Sequence, residues 1–217
     1  MRNTFDRFNG RHQDYQAARP SYAQEFLDWL GELYAPPERY TAADIGSGTG
    51  KLSAQLLAAG FRVCGVEPNP DMRGAAEALL GGDPRFSSSN GTDHDTGLPD
   101  RSVDMVAAAQ AFHWFDGPAF ARECRRILRP GGRAVLVWNV RGSAPMNQAL
   151  AQVFREHCPS FHGFTGGMGE DDPRIRDFFG GAYEKRRFPN PLTLDRDQFL
   201  RRCFSSSYAL REGDADY

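Results

Sequence analysis

Phe26, Leu27, Leu30, Leu33 and Tyr34 recur at helical spacing, and this periodicity predicts an amphipathic helix that Pro36-Pro37 ends. Ser21 is expected to cap that helix, with Gln24 three residues on completing a capping box. From Thr41 the pattern alternates between short apolar runs and helical repeats. Strands are expected at 41–45, 61–66, 85–89, 103–109 and 133–139. The first intervening helix, about 50–58, turns Leu52, Leu56 and Leu57 inward. Asn69 caps the next, whose Met72, Ala75, Ala76, Leu79 and Leu80 share a face; Asp116 caps a third, with Phe120, Cys124, Ile127 and Leu128 inward. The run Val103–Ala109 is continuous enough to be covered on both faces. Beyond Arg141 the rhythm loosens. Residues 146–157 read as a helix, 163–169 as a glycine-rich loop, 183–188 as a sixth strand, and Asp195 as the cap of a helix reaching Cys203. The repeated β-α-β units imply one α/β domain, a doubly wound parallel sheet between two helical layers. Residues 1–40 are its N-terminal arm and helix, 41–141 the core and 142–205 a cap over the strand ends.

In such sheets ligands sit at the carboxyl ends of the strands, and four informative segments fall there. The first is Asp44-Ile-Gly46-Ser-Gly48-Thr-Gly50, a strand, a glycine loop and a helix start. A dinucleotide fingerprint needs a third glycine where Lys51 stands, and a phosphate-binding P-loop needs glycine at Ile45 and Ser or Thr at Leu52. An acidic residue ahead of this loop suits a nucleoside carrying an amino acid instead of phosphates. Asp44 can hold an ammonium group or orient the loop. Glu67 ends the second strand, 23 residues on, where a carboxylate can accept from a ribose diol; the bland alternative is a surface Glu before the Pro68 turn, and the glycine loop favours the ribose. Asn90-Gly-Thr-Asp93-His94 follows the third strand. There Asp93 can accept from an exocyclic amine, although His94 and Asp95 suit a plain surface equally well. Gln110-Ala-Phe-His113-Trp-Phe115 follows the fourth strand; His113 is either a general base or a cap on the following helix. Near the N-terminus, Tyr15, Arg19 and Tyr22 read as a lid over these strand ends, with Arg19 pairing with a carboxylate, or as a solvated arm.

Composition narrows the classes of function. A formal charge of −2 over 217 residues gives no electrostatic case for nucleic acid or an anionic membrane. Arginine far outnumbers lysine, only Lys51 and Lys185 being present, which fits a GC-rich coding sequence better than a binding signature. The cysteines, Cys64, Cys124, Cys158 and Cys203, form no C-x-x-C, so neither a zinc site nor a disulfide frame is expected. With no apolar run of spanning length and no signal-peptide core, the expected location is cytoplasmic.

Taken in order, these motifs resemble the class I S-adenosylmethionine-dependent methyltransferases. Asp44–Gly50 is similar to their first motif and Glu67-Pro-Asn69 to their ribose-binding strand end. Gly97-Leu-Pro-Asp100 with Ser102-Val-Asp104 is similar to the run into their fourth strand, and Glu123 with Arg126-Ile-Leu-Arg-Pro-Gly-Gly132 to the signature before their fifth. The Gln110–Phe115 run and Arg19-Pro20 with Tyr22 resemble a small-molecule branch that includes trans-aconitate methyltransferase-like proteins. The resemblance implies a Rossmann-like sheet, S-adenosylmethionine as cofactor, a small-molecule acceptor and no metal. It implies that Asp44, Gly46, Ser47 and Gly48 hold the methionine part, Glu67 the ribose, and Thr92, Asp93 and His94 the adenine. Arg19, Pro68, Met72 and Gln110 complete the cofactor set, and His113 is the catalytic candidate. The family sheet has seven strands. With 183–188 as the sixth, the polar stretch 205–217 offers no seventh, so a C-terminal truncation and an exposed edge on the fifth strand are expected. The rival readings are a cofactor-binding or interaction protein without catalysis, and an NAD-dependent oxidoreductase.

Overall fold

Asp44 and its neighbours are placed by a strand that is buried almost throughout. In the structure, a computed structural model describing residues 20–164, 168–206 and 208–210, β1 (Thr41–Ile45) lies at the centre of a five-stranded parallel sheet. The other strands are β2 (Arg62–Val66), β3 (Phe86–Ser89), β4 (Val103–Ala109) and β5 (Leu128–Val137), in the order β3-β2-β1-β4-β5. The chain winds outward from β1 to β3, then returns to place β4 on the other side of β1. That reversal opens a crevice at the carboxyl ends of β1 and β4.

Alternation along the strands splits the core into two layers. On one face, Ala43, Ile45, Cys64, Val66, Val106 and Ala108 pack under α4 (Gly117–Ile127) and α6 (Pro173–Phe178). On the other, Ala42, Val63, Met105 and Ala107 pack under α1 (Gln24–Leu33) and α2 (Lys51–Ala58). β4 is therefore covered on both sides, as its continuous apolar run predicts. Two further helices follow the sheet, α5 (Pro145–His157) and α7 (Arg196–Phe204), and α3 (Pro70–Leu80) links β2 to β3. Phe154 of α5 and Cys203 of α7 share a separate apolar cluster with Cys158 and Phe161. Among the described residues no helix is long and apolar enough to cross a membrane.

The predicted caps hold at three helices. Asn69 accepts from Asp71 and Met72 N–H, Asp116 from Ala119 N–H, and Asp195 forms a capping box with Gln198. Elsewhere the structure corrects the expectations. Ser21 does not cap α1, which starts at Gln24 behind Ala23 with no side-chain cap; its carbonyl instead accepts from the Asn139 and Asn190 amides. Residues 183–188 form no strand. Phe188 packs on Phe26 and Trp29 of α1, Arg186 lies 5.1 Å from the Trp29 ring, and Lys185 pairs with Asp171 at 3.0 Å. Side-chain packing on α1 thus replaces sheet pairing, and β5 is the edge of the described sheet. β5 also begins before the Pro130-Gly131-Gly132 turn. Its pairing with β4 jumps from Val103↔Leu128 to Met105↔Arg133, absorbing the turn as an irregularity. Gly132 permits this: a Cβ there would lie 3.0 Å from the Asp104 carbonyl of β4. Helix α6 was not anticipated, although Asp172-Pro173, a cap followed by proline at the first helical position, is its sequence signal.

Candidate active site

The loop after β1 is pinned to β2. Gly46 and Ser47 N–H both donate to the Val66 carbonyl, at 2.9 and 3.1 Å. Gly46, Gly48 and Gly50 take positive φ of 70, 56 and 81°, a region closed to most side chains. The loop's next N–H, on Gly48, donates to Glu67 Oε2 at 2.9 Å, and Glu67 Oε1 accepts from Asn69 N–H at 2.9 Å. Burial pushes the Glu67 carboxyl up, against the pull of those N–H groups and of Arg73.

Asp44 sits below the loop with 1% of its surface exposed. Its Oδ2 accepts from Ser53 Oγ of α2 at 2.7 Å, whereas Oδ1 is buried without a hydrogen-bond partner. Burial pushes its carboxyl up to about 6; Ser53 pulls it down and nearby Glu67 adds to the rise. Thr49 Oγ1 is likewise buried and unpartnered. Buried polar atoms without a partner are costly, and Asp44 Oδ1 and Thr49 Oγ1 both belong to the segment joining β1 to α2.

A narrow cleft of about 50 Å³ opens there. Asp44, Gly46, Ser47, Gly48 and Gln110, all named as cofactor candidates from the sequence, line it. Gln110 follows β4 in the left-handed region, with φ 55°, and donates from its amide to the Asn139 carbonyl at 3.3 Å. Tyr22 joins the wall; its backbone exchanges two hydrogen bonds with the Gln55 amide, which docks the chain onto α2. Arg19 and Tyr15 lie outside the described residues.

The remaining predicted residues lie off the cleft wall. Glu67 is not among the cleft-lining residues but contacts the loop, accepting from Gly48 N–H. Met72 is buried in α3, and Pro68 is half-buried at its entry. Asp93 Oδ2 accepts from Asp116 N–H at 3.0 Å, its Oδ1 lies 3.1 Å from the exposed His94 ring, and Thr92 closes a turn with Asp95. The 92–95 loop is thereby tied to the start of α4. His113 occupies a 3-10 turn, its ring 4.8 Å from that of Trp114, and is not among the cleft-lining residues.

The methyltransferase domain family matches residues 43–136, which hold the sheet and the glycine loop. A methyltransferase of Mycobacterium tuberculosis, itself uncharacterized, is 42% identical over 127 residues, 58% of this chain and 49% of that protein. The chain thus spans about half the length of this relative. A methyltransferase-like protein of Schizosaccharomyces pombe is 29% identical over 94% of this chain and 79% of its own length. A solved structure from Anaeromyxobacter dehalogenans, assigned as a type II methyltransferase, is 31% identical with a TM-score of 0.58, over 88% of this chain and 79% of its own. The chain belongs to the class I methyltransferase family.

Within this family member the two central glycines do different work. A Cβ on Gly46 would lie 2.8 Å from Ala111 Cβ and 3.2 Å from the Phe115 ring, whereas one on Gly48 meets nothing within 4 Å. Gly46→Ala is therefore expected to cost about 2 kcal/mol or more of stability, and Gly48→Ala about 1 kcal/mol. Urea denaturation of the two variants checks the order.

Several residues of the cleft carry no mark in the sequence reading above. Ser53, the partner of Asp44, is a polar residue on an otherwise buried helix face, a signal that was there to read. Phe164, Arg202 and Tyr208 line the cleft from far along the chain, and no local pattern marks them.

Proposed function

We propose that this chain binds S-adenosylmethionine in the cleft and directs its methyl group to a small-molecule acceptor. The observation that carries the reading is Asp44 Oδ1, a buried acceptor with no partner beneath a glycine loop. An ammonium group of an amino-acid-bearing ligand supplies the missing donor. Gly48, with open space where a Cβ would be, lets such a ligand approach bare backbone. Each Glu67 oxygen accepts one backbone N–H and keeps a second lone pair, so two ribose hydroxyls can be taken without dismantling the loop. Asp93 keeps the same capacity, with one partner on each oxygen, and can accept from the exocyclic amine of the adenine.

When bound, S-adenosylmethionine supplies a sulfonium-activated, electrophilic methyl group. The chain's own task is to position the acceptor in line and exclude water. For an acceptor that must lose a proton, Tyr22 and Tyr208 are in the cleft wall, and His113 is not. A cleft of about 50 Å³ is well below the roughly 300 Å³ that ligand pockets start from.

Calorimetry with S-adenosylhomocysteine against NAD tests the cofactor, and transfer of a tritiated methyl group tests the reaction. Glu67→Gln is expected to weaken S-adenosylhomocysteine about tenfold, through the loss of charged hydrogen bonds to the ribose. Affinity unchanged by that substitution removes Glu67 from the site.

A further inference from the structure

One side chain that touches neither the cleft nor a candidate ligand joins the two strand ends assigned to the nucleoside. Its role rests on the reading of Glu67 as the ribose acceptor and Asp93 as the adenine acceptor of S-adenosylmethionine.

Glu67 follows β2, and Asn90 follows β3 and opens the loop that carries Asp93. The backbone ladder between these strands runs as far as Val66↔Ser89, and Glu67 N–H adds a last bond to the Ser89 carbonyl at 3.1 Å. Past that point Arg73 of α3 takes over. Its Nη1 donates to the Glu67 carbonyl at 2.8 Å and to Asn90 Oδ1 at 3.1 Å, with the Pro68 carbonyl at 3.4 Å. One guanidinium nitrogen, with two N–H groups to give, thus bridges the strand ends where their own hydrogen bonding stops.

Arg73 is well placed to hold that position. Its side chain is 19% exposed, and its Nε faces Glu77, one turn along α3, at 3.8 Å. The helix is fixed in turn by the Asn69 cap and by buried Met72 and Ala76. Burial pushes the Glu67 carboxyl up, and the Arg73 charge is one of the influences that offset it.

The loop after β3 has little freedom of its own. Ser89 Oγ donates to the Thr96 carbonyl at 2.8 Å and closes its base. A Cβ on Gly91 would lie 2.5 Å from that same carbonyl, so no side chain fits there. Asp93 ties the loop to Asp116 N–H. Of these ties and the Arg73–Asn90 bond, only the last leads to the strand end that carries Glu67.

We infer that Arg73 is a positioning residue for the cofactor: it clasps the ends of β2 and β3, and so sets the spacing of Glu67 and Asp93 on which joint recognition of ribose and adenine depends.

The test is calorimetry of the full chain with S-adenosylhomocysteine and two analogues, each altered at one end of the nucleoside. S-inosylhomocysteine has a carbonyl where adenine has its amine, and the 2′-deoxy analogue lacks one ribose hydroxyl. Wild type is expected to prefer S-adenosylhomocysteine over each by about tenfold, the worth of one charged hydrogen bond. Arg73→Met is expected to reduce both preferences to about threefold or less. Asn90→Ala is expected to reduce the adenine preference alone, because Arg73 keeps its carbonyl partners at Glu67 and Pro68. Each preference is a ratio of two affinities on the same folded fraction, so lost stability leaves it unchanged and misplacement of Glu67 or Asp93 moves it. Asn90 is exposed, so its variant decides the matter even if Arg73→Met fails to fold. Wild-type preferences in Arg73→Met, or an intact adenine preference in Asn90→Ala, overturn the inference. A wild type that binds S-adenosylhomocysteine with neither preference leaves Arg73 nothing to position and overturns it too. A wild type that does not bind S-adenosylhomocysteine overturns the cofactor reading itself, and the inference with it.

Discussion

Asp44→Asn is expected to cut S-adenosylhomocysteine affinity by about 10- to 150-fold at pH 8, the equivalent of about 1.5–3 kcal/mol for a charged hydrogen bond. The same substitution is expected not to lower stability, and to raise it at neutral pH. The Asn side-chain oxygen still accepts from Ser53 Oγ, and the buried charge is gone. The sign follows from the raised carboxyl. Asp44 titrates near 6 in the folded chain against an ordinary 3.8, so the folded state holds its proton more tightly across that interval. Its contribution to stability is present at low pH and is lost as pH rises through about 6, a swing of roughly 3 kcal/mol. Ligand binding runs the other way. Protonated Asp44 offers no carboxylate to an ammonium group, so wild-type affinity is expected to fall about tenfold per pH unit below 6, and the variant's pH profile to be flat. Calorimetry from pH 5 to 8, paired with thermal unfolding, separates the two effects. A variant that binds within twofold of wild type at pH 8 would falsify the assignment of Asp44 to the cofactor.

Glu123→Ala is expected to be the most destabilising single change, by about 3–5 kcal/mol. Glu123 is buried on α4, where Oε1 accepts from Thr96 N–H at 2.9 Å, Thr96 Oγ1 at 2.6 Å and Arg126 Nη2 at 2.7 Å, and Oε2 from Arg126 Nε at 2.8 Å. Arg126 Nη1 also reaches Asp100 at 2.7 Å. Removing the carboxylate strands a buried N–H, a hydroxyl and one side of a guanidinium. Burial pushes this carboxyl up, but Arg126 and Thr96 outweigh it and hold it at about 2, against an ordinary 4.5. A depressed carboxyl stabilises the fold above 4.5, and that contribution fades as pH falls toward 2. The gap in urea stability between wild type and Glu123→Ala is therefore expected to be widest at pH 7 and to narrow at pH 3. A gap below about 1 kcal/mol at pH 7 would show that this network is dispensable.

The network also explains part of the family resemblance. Asp100, Glu123 and Arg126 belong to motifs flanking β4 and β5, and in the structure they clamp the loop before β4 to α4, away from the cleft. Their role is to hold the fold. Asp104 does similar work, accepting from Thr41 N–H and Arg129 and so joining the start of β1 to the start of β5.

What was legible in the sequence was whatever depends on neighbours along the chain. The caps at Asn69, Asp116 and Asp195, the five strands, and the glycine loop each rest on a few consecutive residues whose backbone geometry dictates residue type. The loop's distance from Glu67 was legible too, because one β-α-β unit has a nearly fixed length. Residues 183–188 misled because an apolar and basic run suits a strand and a strap equally; the aromatic face of α1 decided between them.

By itself the sequence determined the doubly wound sheet and the acid-plus-glycine loop at the end of β1, since short-range sterics and hydrophobic periodicity act within about thirty residues. Only the tertiary structure decided that Asp44 keeps an unpartnered oxygen, that His113 is not part of the cleft wall, and that Arg141, Phe164, Arg202 and Tyr208 line the same cleft as the loop. These depend on which distant segments pack together, and the burial that brings them together, unlike hydrogen-bonded spacing, has no direction to be read along the chain.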